Sequence, residues 1–296
     1  MASNPATAAI DGSSIAFVSQ RQRAWRTFSR NRSALVGLIL VIVIILIAIF
    51  APLLAPHNPL TQSITNRLEG PSPGYPLGRD AYGRDVLSRI IYGTRIALQV
   101  GIFSVLLGGV VGTAIGVVAA YAGGKLEAAL MRLVDVLLAF PDLIMGLLVM
   151  AVLGPGLFKL IVAIGFTLIP RFARISYGQT LAIKQKEYVD AARALGQHNR
   201  VILSRHILPN IGGELVVLAS LWTAAAIRLE ASLSFIGLGV PPPTPTWGQM
   251  IREGTVYLSS LPLLSLAPGV ALLITVFAFN LVGDGLRDVL DPRSNS

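Results

Sequence analysis

The stretch IALQVGIFSVLLGGVVGTAIGVVAAYAGG, residues 96–124, is 29 residues long and contains no charged side chain. A helix needs about 20 mostly apolar residues to cross the hydrocarbon core of a bilayer, so this stretch predicts a membrane-spanning helix. Residues 34–55 and 254–283 are also uncharged and mostly apolar, over 22 and 30 residues, and they predict two more.

Three further apolar stretches are interrupted by charged side chains. They are residues 136–158 with Asp142, residues 160–177 with Arg171 and Arg174, and residues 211–236 with Glu214, Arg228 and Glu230. Each has about the length that a bilayer requires. We therefore predict an all-α membrane protein with six transmembrane helices.

The composition of the whole chain agrees with a membrane protein. Hydrophobic residues make up 53% and charged residues 13% of the 296 residues, whereas soluble domains average about 25% charged residues. The chain has no cysteine and three scattered histidines, so disulfide frameworks and cysteine-ligated metal sites are excluded. The net charge of +9 is typical of basic cytoplasmic loops, and no nucleic-acid-binding motif accompanies it.

Lysine and arginine are unevenly distributed over the two sides of the predicted spans. The two tails and the loops after the second and fourth spans contain 16 of them, and the opposite loops contain seven. Because Lys and Arg accumulate in cytoplasmic loops, both termini are predicted to be cytoplasmic.

The predicted spans divide the chain into five segments. They are a cytoplasmic tail at residues 1–33, an anchoring helix at 34–55, an extracytoplasmic segment at 56–95, a core of five helices at 96–283 with a cytoplasmic loop at 178–210, and a cytoplasmic tail at 284–296.

Small residues recur at every fourth position of the second predicted span. They are Ser104, Gly108, Gly112, Gly116, Ala120 and Gly124. Residues four apart share a helix face, so this stripe lets another helix backbone approach closely. The stripe packs either within this chain or across a sliding or dimer interface.

The loop at residues 178–210 predicts two short helices joined by a glycine turn. Residues 188–195 are good helix formers, and Gly196 suits the left-handed conformation that ends a helix. Residues 201–203 begin the second helix, and Pro209 marks a further boundary. Such a knob either docks a soluble partner or lies on anionic lipid.

The same loop resembles the EAA motif of ABC importer permeases, in which Glu-Ala-Ala is followed by three residues, a glycine and a later hydrophobic-Leu-Pro. The matching residues are Asp190, Ala191, Ala192, Gly196, Ile207, Leu208 and Pro209, with Asp190 in place of the family's glutamate. Five further blocks resemble the C-type permease of dipeptide and oligopeptide importers. They are residues 77–93, 131–135, 233–239, 242–248 and 280–292.

This resemblance implies a type I ABC importer permease fold, an anchoring helix plus a five-helix core, in the bacterial cytoplasmic (inner) membrane. The implied partners are a homologous second permease in a heterodimer, two cytoplasmic P-loop ATPases, and an extracytoplasmic peptide-binding protein, with no nucleic acid. The implied function is the permease subunit of an ATP-driven, binding-protein-dependent importer of di- and oligopeptides.

The resemblance also assigns ATPase coupling to one group of residues in the loop. They are Glu187, Asp190, Ala191, Ala192, Leu195, Gly196, Ile207, Leu208 and Pro209. We expect Gly196 to set the angle between the two short helices. We also expect Ala191, Ala192 and Leu195 to enter a groove on the ATPase.

The chain lacks the sequence pattern of an ATPase. A P-loop needs Gly-x-x-x-x-Gly-Lys-Ser/Thr to bind phosphates. The Gly124-Lys125 pair is followed by Leu126, and Ala119 stands where the earlier glycine is required. No zinc motif or Ser/His/Asp set is present. We therefore expect no catalytic residues, metal or cofactor in this chain, with ATP and magnesium held by the partner ATPases.

Charged side chains inside predicted spans are candidates for the translocation path, because charge is costly in lipid. The candidates are Asp142, Arg228 and Glu230. Asp142 follows Pro141, which is expected to kink the span, and Asp142 alternatively caps the backbone donors that are freed there. Glu230 alternatively pairs with the partner permease.

Asp80, Arg84 and Asp85 belong to two Gly-Arg-Asp triplets in the extracytoplasmic segment. They form either solvated turns, a docking site for the binding protein, or a brace between the two permeases.

Two other functions are compatible with the sequence. Related C-type permeases carry nickel, glutathione or other small solutes, so the same machine with another cargo is the first alternative. A stand-alone secondary transporter is the second, although such transporters often contain internal repeats with broken helices, and we find no convincing repeat here.

Overall fold

The computed structural model describes residues 31–290, and every regular element within this range is a helix. The predicted tails fall largely on residues 1–30 and 291–296, which lie outside the described residues. The α-helices are α1 (Arg32–Ile49), α2 (Ala51–Leu54), α3 (Val86–Ala122), α4 (Gly124–Leu138), α5 (Asp142–Leu153), α6 (Leu157–Lys184), α7 (Glu187–Ala194), α8 (Asn199–Ile202), α9 (Leu208–Ile236), α10 (Trp247–Thr255) and α11 (Leu263–Leu290).

The most extensive helix contact joins α3 to α6 along the stripe of small residues. A Cβ on Gly108 would lie 2.6 Å from the Cβ of Leu168, and one on Gly116 would collide with the carbonyl oxygen of Ala173. Near the other end, the Ser104 hydroxyl donates to the carbonyl of Ile161 over 3.1 Å. The stripe therefore packs within the chain, as the first of the two interpretations predicts.

Four helical stretches are long and apolar enough to cross a membrane, and the pair α4 and α5 makes a fifth if it counts as one bent span. The four are α1, α3, Asn199–Ile236 and Leu263–Val289. The remaining predicted span corresponds to α6, whose 28 residues include Lys159, Arg171, Arg174 and Lys184. The count of six and the cytoplasmic side of both termini stay predictions.

The predicted kink at Pro141 is in fact a break between two helices. Helices α4 and α5 meet at 98°. Pro141 has φ −60° and ψ 137° at the start of α5, and a proline cannot donate the backbone hydrogen bond that would continue α4. The predicted span at 136–158 therefore begins inside one helix and continues in another.

Two helices begin at other residues than the predicted spans, because polar caps and prolines set their first turns. Helix α3 begins at Val86, ten residues before the predicted span, since the Asp85 carboxylate accepts the Ser88 N–H over 2.9 Å as an N-cap. The last span begins at Leu263 rather than 254, directly after Pro262, because residues up to Thr255 belong to α10.

The predicted anchoring helix packs on the last helix of the chain. Gly37 of α1 lies against Leu281 of α11, and the Asn31 amide donates to an Asp288 carboxylate oxygen over 2.8 Å. The segment 34–55 is interrupted at Phe50, because Pro52 occupies the first turn of α2. Helix α11 extends to Leu290, so it continues into the segment predicted as the C-terminal tail, which begins at residue 284.

Candidate functional site

The loop predicted to be cytoplasmic folds into a knob that we define as residues 187–207, comprising α7, a glycine turn, α8 and the π-helical turn Leu203–Ile207. Val189, Ala192, Ile202 and Ile207 form a buried cluster inside it. The knob therefore has a small hydrophobic core of its own, as expected for a segment that moves as a unit.

The knob is attached to the C-terminal ends of α3 and α6. Lys184, the last residue of α6, donates to the carbonyls of Ala120 and Tyr121 over 3.0 and 3.2 Å. The Tyr121 hydroxyl donates to the Asn199 side chain over 2.7 Å. A lysine ammonium is favourable at the C-terminus of a helix, where carbonyls lack partners. The knob is thus attached to α3 through Lys184 and Tyr121.

Gly196 makes the turn between the two short helices, which confirms the predicted glycine turn. Its φ is +75°. Its N–H donates to the carbonyl of Arg193 over 2.9 Å, and the Gln197 N–H donates to that of Ala192 over 3.1 Å. These two bonds form a Schellman motif. A Cβ on Gly196 would meet nothing within 4 Å, so the requirement for glycine is conformational.

Three exposed side chains lie together on α7, and we call the surface formed by Tyr188, Ala191 and Leu195 the docking face because of the predicted role of this helix. Leu195 is 82% exposed, and the other two are also exposed. Ala192 and Ile207 are buried in the knob core instead. The expectation that Ala192 enters a partner's groove is therefore wrong, because its methyl group already packs inside the knob.

The two acidic candidates of α7 lie beside the docking face. Glu187 and Asp190 are exposed in the first turn, where a carboxylate interacts favourably with the helix dipole. Asp190 also pairs with Arg193 over 3.1 Å. Both carboxylates therefore stabilise the helix that presents the docking face.

Pro209 lies in the first turn of α9 rather than at the end of a helix. Proline is tolerated there because that N–H needs no helical partner. The chain passes from α8 through the π-helical turn directly into α9, with Leu208 and Pro209 exposed at the surface. The knob is thus continuous with a spanning helix.

Asp142, a path candidate, is paired with an arginine of the neighbouring helix. One guanidinium nitrogen of Arg171 lies 2.5 Å from both carboxylate oxygens of Asp142. The Arg171 guanidinium carbon lies 4.4 Å from the ring centroid of Trp222 on α9. Both side chains of the pair are half-buried. The pair thus joins three helices and keeps one side open.

The other two path candidates face different environments. Glu230 is buried within the chain and accepts a hydrogen bond from the Ser234 hydroxyl over 2.7 Å. Arg228 is exposed on α9. The two interpretations of Glu230, that it lines the open path or that it pairs with the partner permease, are therefore corrected. Residues of its own chain enclose the Glu230 side chain.

Asp80, Arg84 and Asp85 are buried, so they neither form solvated turns nor present a docking surface. Arg84 Nε lies 2.6 Å from Asp80, and a second Arg84 nitrogen lies 3.1 Å from Glu253 of α10. The Asp85 carboxylate caps α3. This outer network braces two segments of one chain rather than two permeases.

Replacing Arg84 by Gln is expected to destabilise the chain by about 1.5–3 kcal/mol, because Asp80 and Glu253 lose a charged hydrogen-bond donor, while Arg89 still lies 3.4 Å from Asp80. The melting temperature of the detergent-solubilised chain measures this. Arg193→Gln removes an exposed pair and is expected to cost less than about 1 kcal/mol. Equal melting temperatures for the two variants would contradict a bracing role for the outer network.

Several residues of these sites could not be identified from the sequence. Arg171 and Arg174 count as cytoplasmic charges in the sequence, yet they pair with Asp142 and Asp135 on neighbouring helices. Glu253 is 169 residues away from Arg84 along the chain. The sequence around each of these residues contains no signal for its partner, because only the packing of helices that are distant in the chain brings the two side chains together.

Two family models match the chain. The model described as binding-protein-dependent transport system inner membrane component matches residues 112–296. The model described as the N-terminal TM domain of oligopeptide transport permease C matches residues 19–71.

Curated relatives resemble the chain over most of their length. The glutathione transport system permease protein GsiD of Pectobacterium atrosepticum is 43% identical, covering 92% of this chain and 91% of the relative. The dipeptide transport system permease protein DppC of Alkalihalophilus pseudofirmus is 39% identical, covering 94% and 92%.

Solved structures share the fold at lower sequence identity. Two crystal forms of the MetNI methionine ABC transporter in inward-facing conformations match with a TM-score of 0.57 each, at 21% and 22% identity. Each match covers 69% of this chain, and 97% and 98% of the transporter chains. The helices are therefore arranged as in an ABC importer permease.

Proposed function

The chain belongs to the family of binding-protein-dependent transport system inner membrane components, of the oligopeptide permease C type, and on this premise we propose that it is the permease subunit of an ATP-driven importer of small peptides. The observation that carries the proposal is the knob, which has its own core, an exposed apolar docking face and a helical connection to α9. Such a knob suits a protein that receives mechanical work from a cytoplasmic partner.

The partner that supplies this work is a separate ATPase. The lack of a P-loop in the sequence supports this division, because ATP and magnesium need a phosphate-binding loop that this chain does not encode. Two ATPases, one for each permease, would bind the nucleotide and metal. Closure of the ATPases displaces the knob, and the displacement reaches α3 through Lys184 and α9 through the π-helical turn.

A homologous second permease would complete the translocation path. Half-exposed ion pairs within the helix bundle support this part of the proposal, because charged side chains at membrane depth need water or protein around them. An extracytoplasmic binding protein would deliver the cargo to the outer side of the pair.

The cargo class is a short peptide, and glutathione is the second candidate. A relative named as a dipeptide permease and one named as a glutathione permease are 39% and 43% identical to this chain. Both solutes are small peptides with charged ends. The two cargoes are distinguished by reconstituting the purified complex into proteoliposomes and measuring uptake of a labelled dipeptide in competition with glutathione.

Purification of the tagged chain from its native membranes in mild detergent tests the assembly. We expect a second permease and P-loop ATPases to copurify.

Leu195→Asp is expected to lose the ATPases while it retains the second permease, because a charge at an apolar anchor costs about 2 kcal/mol or more. Leu195→Met keeps the apolar contact and serves as the control. ATPase recovery that is unchanged in Leu195→Asp would contradict the docking face.

A further inference from the structure

A row of polar pairs runs along one side of α6. Arg171, Arg174 and Tyr177 are spaced three residues apart, so they lie on one side of the helix. Their partners are on α4 and at the start of α5. The three pairs, which we call the polar ladder, are Asp142–Arg171, Asp135–Arg174 and Glu127–Tyr177.

The polar ladder lies opposite the face of α6 that packs on α3. The packing face includes Leu168, Phe172 and Ser176, which contact the glycines of the small-residue stripe. At about 100° per residue, positions 171 and 174 point to the other side of the helix, and Tyr177 lies at the edge of the packing face, against the cluster of Ala119 and Ala173. The ladder is therefore on the side of α6 that is not used for the main helix seam of the chain.

The upper two pairs are open to their surroundings. The side chains of Arg171 and Asp142 are 30% and 41% exposed, and those of Arg174 and Asp135 are 46% and 49% exposed. Charged side chains within a membrane bundle face a water-filled space or another protein, because exposure to hydrocarbon is costly. The open side of the ladder therefore faces the path, the water at its cytoplasmic mouth or the second permease, not lipid.

The ladder lies toward the cytoplasmic half of the bundle. Arg171 is 14 residues, or about 21 Å, from the start of α6 at Leu157. Trp222, whose ring contacts Arg171, is equally far from the end of α9 at Ile236. From Arg171 the ladder continues toward Lys184 and the knob. Its pairs are thus placed where cargo leaves the bundle.

We propose that the polar ladder is a wall of the inner half of the translocation path and that its two ion pairs bind the charged ends of a zwitterionic solute. The carboxylates of Asp142 and Asp135 take the solute's ammonium group, and Arg171 and Arg174 take its carboxylate. This inference rests on the proposed function. It adds the inner binding site and the chemical class of solute that the site accepts.

The chemistry of the pairs suits transient binding. Each pair presents a cation and an anion side by side, so a zwitterion exchanges partners with it and leaves no charge unpaired. Two such pairs in a row on α6 form a sequence of similar weak sites. Passage through a pore requires binding that is favourable enough for entry and weak enough for release. Trp222 holds the Arg171 guanidinium in place through a cation–π contact.

A purely structural role is the competing explanation. The Asp142–Arg171 and Asp135–Arg174 pairs attach both helices at the 98° break to α6, so they also brace the break. A brace and a binding site differ in what their loss affects. Loss of a brace disturbs assembly and ATP hydrolysis, whereas loss of a path site affects solute movement after delivery.

The test uses the whole complex, with its copurified partners, in proteoliposomes. Uptake of a labelled dipeptide and ATP hydrolysis stimulated by the loaded binding protein are measured together for Arg171→Gln and Asp142→Asn. We expect uptake per ATP to fall about tenfold in each, as for the loss of one charge-assisted hydrogen bond. The rate of ATP hydrolysis and the recovery of assembled complex are expected to stay within about twofold of wild type. A twofold change corresponds to a smaller free energy than the loss of one such hydrogen bond.

Arg79→Gln is the matched control, because it removes an arginine–carboxylate pair of 3.1 Å with Glu69 on the outer loop. Its uptake per ATP is expected to equal wild type. If Arg171→Gln fails to assemble, Arg174→Gln and Asp135→Asn carry the same test one turn further along α6. Wild-type uptake per ATP in the assembled variants overturns the proposal, and so does a parallel fall in uptake and ATP hydrolysis.

The neutral double variant Asp142→Asn/Arg171→Gln separates the two roles further. Two amides can still hydrogen-bond α5 to α6 but carry no charge, so full recovery of uptake overturns the proposal. Persistent low uptake per ATP with normal assembly and ATP hydrolysis supports it, because the charges that bind the solute are absent. A wild-type complex that takes up no peptide at all would contradict the proposed function rather than the ladder.

Discussion

Gly116→Ala is expected to destabilise the folded chain. The added Cβ would collide with the carbonyl oxygen of Ala173 and the Ser176 hydroxyl and would lie 2.8 Å from the backbone nitrogen of Tyr177. Backbone atoms of a packed helix cannot move aside as a flexible side chain can. The overpacking cost of about 1–3 kcal/mol or more exceeds the gain of about 1 kcal/mol from helix propensity. Yield and melting temperature in detergent measure the effect.

Gly109→Ala is the matched control on the same helix. Its Cβ would lie 3.6 Å from the ring of Phe172, which is ordinary van der Waals contact. The same substitution is then expected to be neutral or to raise stability by up to about 1 kcal/mol, because alanine is the better helix former. If Gly116→Ala and Gly109→Ala melt at the same temperature, the close approach of α3 and α6 is not what stabilises the bundle.

Gly196→Val is expected to uncouple ATP hydrolysis from transport while the membrane helices still insert. A left-handed conformation costs a non-glycine residue about 1–2 kcal/mol, and a β-branched residue is a genuine outlier there. The Schellman bonds of Gly196 and Gln197 would be strained or lost, and the docking face would turn away from its partner. We expect stimulation of ATP hydrolysis by the loaded binding protein to fall at least about tenfold, the equivalent of about 1.4 kcal/mol.

Two further variants isolate the backbone effect at Gly196. Gly196→Asn is expected to retain most of the activity, because asparagine tolerates the left-handed conformation. Gly178→Val adds the same side chain near the cytoplasmic end of α6, where a Cβ meets nothing within 4 Å, and is expected to leave coupling intact. Normal stimulated hydrolysis by Gly196→Val would contradict the role of this turn.

The features predicted correctly from the sequence are those with local causes. The stripe of Ser104, Gly108, Gly112 and Gly116 follows from a spacing of four residues. The turn at Gly196 follows from the conformational preference of glycine. Both signals are contained within a single helix or turn, so the sequence is sufficient to detect them.

The features that the sequence does not predict depend on distant contacts. The burial of Asp80 and Arg84 requires Glu253 from α10, and the pairing of Asp142 requires Arg171 from another helix. The same residue types in the same pattern also suit solvated turns and cytoplasmic loops. Positive charge was therefore a poor guide to the role of Arg171.

ATP-dependent uptake of a labelled dipeptide tests the central claim most directly. The complex that copurifies with the tagged chain is reconstituted into proteoliposomes with peptide-loaded binding protein outside and ATP inside. We predict accumulation that requires ATP, the binding protein and an intact docking face, so that it is lost with Leu195→Asp. Accumulation by the purified chain alone, without ATPase or ATP, would contradict the assignment of this chain as one subunit of an ATP-driven importer.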